Sequence, residues 1–155
     1  MAADAVVAHG ATARATHAPK LAFVDSGVAT MLLGQDQGSL GRVTSDMGGV
    51  LEGFVAMEIA RQLTWAGQTV ELSHYRTRDK VEVDIVLQNR RQQVVAIEVK
   101  SAATVADADF NGLRHLRARV GSQFLAGLVL HLGPQTLPFG DRLRAMPVSA
   151  LWHCA

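Results

Sequence analysis

The sequence predicts a single mixed α/β domain, and three observations carry that expectation. One stretch repeats apolar residues at helical spacing: Leu51, Phe54, Val55, Ile59 and Leu63. Three β-branched runs follow in close succession, joined by short polar connections. After them come a second amphipathic stretch and an almost unbroken apolar run, Phe124 to Leu132. The order is helix, three-strand antiparallel meander, helix, strand, with a mixed central sheet.

Each element has a local reason. Leu21 to Val24 has the composition of a short strand, and Ser26 is placed to cap a helical turn through Leu33. Gly34 to Gly49 reads as a mobile loop from its Gly, Ser, Asp and Gln content. A helix is predicted from about Val50 to Trp65, with Glu52 on the border of its apolar stripe and Gly67 as its stop. The strands are Thr69 to Tyr75, Val81 to Gln88 and Gln93 to Lys100, and their connections are short enough for hairpins. Thr104 and Asp107 resemble a capping box opening a helix to about Val120, with Phe110, Leu113, Leu116 and Val120 on its buried edge. Phe124 to Leu132 reads as a strand buried on both faces, joined to the meander by a right-handed crossover. Arg142 to Trp152, interrupted by Pro147, is placed as an edge strand and closing turn.

Composition sets outer bounds. A chain of 155 residues that is 48% hydrophobic and 19% charged is globular and long enough to bury one core. Fifteen basic against fourteen acidic residues leave a formal charge of +1, so any nucleic-acid role must rest on local patches. The one cysteine, Cys154, allows neither an intramolecular disulfide nor a thiolate zinc site, which fits a reducing, cytoplasmic compartment. No apolar run reaches the roughly 18 residues of a membrane span, and no P-loop motif occurs. Residues 1–19 are expected to be a disordered or remnant tail, and 20–155 the folded domain.

The chemistry is concentrated in two triplets, Glu82-Val83-Asp84 and Glu98-Val99-Lys100. Side chains two apart on a strand share a face. Glu82 should therefore project with Asp84 and Glu98 with Lys100, while Val81, Val83 and Ile85, like Val95, Ile97 and Val99, point the other way. On neighbouring strands this would bring three carboxylates and an ammonium to one patch. Clustered carboxylates repel unless they share a cation, and that composition is the one a divalent-metal phosphodiesterase uses. The same alternation is also the ordinary pattern of a strand's solvent face, with Glu82 and Lys100 as a cross-strand ion pair.

The order of elements resembles the PD-(D/E)XK nuclease superfamily, which has an acidic residue on the first helix, D on the second strand and E-x-K on the third. More narrowly, the chain resembles a family of unknown function forming the C-terminal domain of prokaryotic AAA-type ATP-binding proteins. The matching residues are Phe23-Val24-Asp25-Ser26-Gly27, Gly49 to Val55, Tyr75-Arg76-Thr77-Arg78, Glu82-Val83-Asp84, Ile97 to Ser101 and Leu151-Trp152, spread over about residues 20 to 152. The ATP-binding portion that precedes the domain in that family is expected to be absent from this chain.

The resemblance implies a restriction-endonuclease-like core and a site of Glu52, Asp84, Glu98 and Lys100. Magnesium or manganese would be held by Asp84 and Glu98, with the Val99 carbonyl as an optional ligand and Glu52 binding directly or through water. Lys100 would position and ionise the attacking water or offset phosphate charge, and Glu82 would support the site from outside. The implied substrate is nucleic acid, DNA first. The alternative is a catalytically silent domain that binds nucleic acid or a partner for an ATPase.

The basic residues divide by position. Arg76, Arg78 and Lys80 occupy one hairpin loop and Arg90 and Arg91 the other, at opposite ends of the meander, so only the first group is placed for phosphate contact at the site. Arg114 and Arg117, about one helical turn apart, are further candidates. For Arg76, Arg78 and Lys80, solvated turn residues are at least as good a reading. His74, His115 and His131 lack metal-ligand spacing and read as structural; Tyr75 and Trp65 are too isolated to form a stacking platform, and Cys154 has no activating neighbour.

Overall fold

Hydrophobic periodicity and turn chemistry together produce a six-stranded sheet covered by a helix on each face. The computed structural model describes residues 20, 22–35 and 47–153. The tail 1–19, most of the 34–49 loop, Leu21 and Cys154 lie outside the described residues. The elements are α1 (Ser26–Leu32), α2 (Met47–Leu63), β1 (Val70–Arg76), β2 (Glu82–Asn89), β3 (Val94–Lys100), α3 (Asn111–Val120), β4 (Phe124–His131), β5 (Leu137–Pro138) and β6 (Leu143–Pro147). Short 3-10 turns precede and follow α3, and another follows β6 at Val148–Trp152.

The strand order is β1-β2-β3-β4-β6-β5. β1, β2 and β3 form the antiparallel meander, while β4 runs parallel to β3 and β6 parallel to β4. The β1–β2 and β2–β3 turns each place one non-glycine residue in the left-handed region, Lys80 (φ 61°) and Gln92 (φ 62°). Side chains support both turns: the Val81 amide donates to the Thr77 hydroxyl, and the Gln93 amide to the Asn89 side chain.

The sheet divides two apolar layers. On one side, Val55 and Ile59 of α2 pack with Ile85, Ile97, Val99 and Leu130. On the other, Leu113 and Leu116 of α3 and the preceding Phe110 pack with Val83, Val86, Val94, Ala96 and Val129. Gly112 lets α3 lie against β2: a Cβ there would fall well inside van der Waals distance of the Glu82 carbonyl.

Several expectations are corrected. Val83 and Ile85 do not share a face but fall in opposite layers. The register runs from Ser73↔Val86 to Tyr75↔Val83, so Asp84 and Ile85 together oppose His74. That is a β-bulge, and the extra residue reverses the alternation.

Residues 22–24 form no strand, and Asp25, not Ser26, caps α1, its carboxylate accepting from Gly27 and Val28 amides. A helix cap sits outside the helix, and Ser26 is already its first residue. At the second helix, Asp109 receives the Ala106 amide, so the cap lies later than Thr104. β4 is one-sided at its start, where Leu125 is exposed. β6 is not the edge strand, because the two-residue β5 pairs beyond it. Pro134 and Pro138 hid so short a strand from sequence reasoning.

Candidate functional site

The register of β2 and β3 places the site. Their ladder runs from Gln88↔Val94 to Ile85↔Ile97. Beyond that rung the described pairing stops, and Asp84 stands beside the gap. Its Oδ2 accepts the Val99 N–H at 2.9 Å. By strand alternation Glu98 and Lys100 leave β3 opposite Ile97 and Val99, which pack under α2. Glu52 comes from α2, on the other layer. Asp84 is therefore the link between the two sides.

Two lysines organise the carboxylates. Lys100 Nζ donates to Glu98 Oε1 at 2.9 Å. Lys20 Nζ lies between Glu52 and Asp84: it pairs with Glu52 Oε1 and lies 3.2 Å from Asp84 Oδ1. Asp84 and Glu98 side chains are only 12% and 16% exposed, so these charges interact with little screening. Two ammonium groups against three carboxylates leave one formal negative charge.

Burial raises the Glu98 carboxyl above its ordinary range, the Asp84 charge adds to this, and Lys100 opposes it. Burial likewise raises Glu52, with Lys20 pulling it back and Asp84 pushing it further. Burial alone would lower both lysines. The Glu52 bond and the charges of Glu52 and Asp84 reverse that for Lys20, and Glu98 reverses it for Lys100. Both ammonium groups are thus held above their usual range.

Among the described residues, no three Asp, Glu, His or Cys side chains come together as a metal-holding group. Oxygen donors of this kind suit a hard divalent ion, and the Glu52–Asp84 pair already holds a cation between its members. The donor chemistry therefore fits such an ion at that position, subject to Lys20.

The remaining candidates have other placements. Glu82 is exposed and forms a 2.8 Å ion pair with Arg76, its register partner on β1. Arg78 and Lys80 are exposed in the β1–β2 turn, at the Lys100 end of β3, while Arg90 and Arg91 are exposed at the far end. Arg114 forks onto Asp107, with its Nη1 2.9 Å from that carboxylate, and Arg117 donates to the Asp141 carbonyl at 2.8 Å. His131 Nδ1 accepts the Gly133 amide and Nε2 lies 3.1 Å from the Gln135 carbonyl, a structural arrangement. Trp65 is 70% exposed.

Sequence reasoning missed Lys20. Its partners are distant in sequence, and a single lysine carries no periodic signal. It also missed a cavity of about 510 Å³ beside the site, lined by Phe23, Met57 and Leu72 together with Lys20, Glu52 and Asp84.

The fold and site define a mixed α/β domain with a carboxylate–lysine cluster at a parting of two strands. Residues 47–151 match the family described as a domain of unknown function (DUF4143), and the chain belongs to that family. The match runs from the start of α2 into the 3-10 turn at Val148–Trp152, and Lys20 precedes it. No curated protein matches the chain. No helix among the described residues is long and apolar enough to cross a membrane.

Proposed function

We propose that the domain is a PD-(D/E)XK-type module with a restriction-endonuclease-like core, hydrolysing phosphodiester bonds in DNA with magnesium or manganese. One observation carries this reading: Asp84 stands where β2 and β3 part, next to Glu98-x-Lys100 on β3 and facing Glu52 from the preceding helix. A hard divalent ion held there would neutralise charge on the scissile phosphate and acidify water.

The chain's own groups have separable tasks. Glu52 and Asp84 hold the cation position. Glu98 keeps Lys100 oriented and protonated, so Lys100 acts as a positive group toward phosphate and not as a base. Arg78 and Lys80 project from the turn at this end of the sheet, within the region a phosphate backbone would cross.

The test is cleavage of single-stranded, double-stranded and branched DNA with manganese, comparing the parent protein with Asp84→Ala. Products from the parent and none from the variant are expected. A parent protein that cuts none of these substrates overturns the reading.

A second reading has its own support. Lys20 neutralises Glu52 and Asp84 from within the chain, which suits a catalytically silent domain binding nucleic acid or an ATPase partner. Fluorescence anisotropy with labelled DNA, without metal, distinguishes it: binding without cleavage favours this second reading.

A further inference from the structure

Lys20 is an outlier in origin. It lies upstream of the family match, yet its ammonium sits between two carboxylates that belong to the matched region. The segment that follows is tied down independently: Asp25 caps α1, and Arg61 of α2 donates to the Val24 carbonyl at 3.0 Å. The lysine side chain is 37% exposed, so part of its length borders solvent. Long lysine stems can swing while their heads remain hydrated.

We propose that Lys20 is the resident cation of the Glu52–Asp84 pair and that a divalent ion binds there only by displacing it. This rests on the reading above, that Glu52 and Asp84 receive the divalent ion. The charges explain the exchange. One ammonium balances half of the pair's formal charge of −2, whereas one divalent ion balances all of it. Both cations need the same oxygens, since Lys20 Nζ contacts Glu52 Oε1 and Asp84 Oδ1. The two occupancies are therefore mutually exclusive, and Lys20 sets a threshold of divalent concentration for the site.

Manganese titration by calorimetry and electron paramagnetic resonance tests this on the parent, Lys20→Met, Lys20→Arg and Asp84→Asn. Lys20→Met should bind manganese on the order of tenfold more tightly than the parent. Lys20→Arg should resemble the parent, and Asp84→Asn should lose the site. Equal affinity in Lys20→Met and parent, no binding by either, or undiminished binding by Asp84→Asn would each overturn the proposal.

Acetylation of Lys20 in the parent, followed by mass spectrometry, decides the matter even if Lys20→Met fails to fold. The rate should rise several-fold on adding manganese; an unchanged rate overturns the exchange. DNA cleavage with an unchanged Lys20 rate would retain the nuclease reading and remove this one. Displacement of Lys20 without cleavage would do the reverse.

Discussion

Asp84 Oδ2 takes the Val99 N–H at 2.9 Å, one step past the last Ile85↔Ile97 rung of the β2–β3 ladder. A regular continuation would pair Val83 with Val99. The bulge at Asp84 and Ile85 removes Val83 from that role, and a side-chain carboxylate replaces the backbone acceptor. The same residue that faces Lys20 thus also closes the end of the ladder.

Asp84→Ala should consequently destabilise the metal-free protein by about 1.5–3 kcal/mol, the usual range for hydrogen bonds to charged groups. Asp84→Asn keeps an acceptor for Val99 and should cost less, about 0.5–1.5 kcal/mol. Denaturant midpoints in EDTA with matched unfolding slopes measure both. An unchanged midpoint for Asp84→Ala would show that the Val99 bond contributes nothing.

Lys100→Ala separates phosphate chemistry from ion binding. If Lys100 supplies positive charge to the phosphate, cleavage should fall by on the order of a hundredfold while manganese affinity stays close to the parent's. Single-turnover cleavage and a parallel titration provide the two readouts. Full activity in the variant removes Lys100 from the mechanism.

Glu98 gives stability a defined pH dependence. Its carboxyl is raised in the folded protein by burial first and then by the Asp84 charge. A group raised on folding contributes stability below its unfolded value and loses it as pH rises through the folded value. For Glu98 that window opens near its ordinary value of 4.5 and extends upward. Glu98→Gln, which cannot ionise, should gain on the parent across this window and show little such gain below it. Melting temperatures in EDTA over that range, at constant ionic strength, check the sign; a difference independent of pH would contradict it.

Gly112→Ala tests the packing behind the site. The added methyl meets the Glu82 carbonyl, a backbone atom that cannot rotate away. Overpacking of this kind costs about 1–3 kcal/mol, so a clear drop in denaturant midpoint is expected. A neutral substitution would mean that α3 can lift from β2 without loss.

The element order was legible because each element shows its period locally. Val55 and Ile59 are buried as the helical stripe of α2 requires, and Val95, Ile97 and Val99 share the α2 side of the sheet as strand alternation requires. The pairing of Glu98 with Lys100 follows from the same two-residue spacing. What stayed hidden depends on partners far along the chain. Nothing near Lys20 announces Glu52 or Asp84, and nothing within Val81 to Gln88 announces a bulge. The pairing of Glu82 with Arg76 depends on the β1–β2 register, which no single run of residues specifies.

The bulge also makes residue count in β2 a determinant of chemistry. Deleting one residue between Val83 and Val86 would leave both valines in their present layer, but it would remove either the Asp84 carboxylate or the buried Ile85 side chain. A one-residue deletion in an exposed turn shortens a loop; here it would take away either the carboxylate that links the two sides of the site or a side chain that packs under α2. Length variation among related chains should therefore be tolerated at the β1–β2 turn and opposed at Asp84 and Ile85.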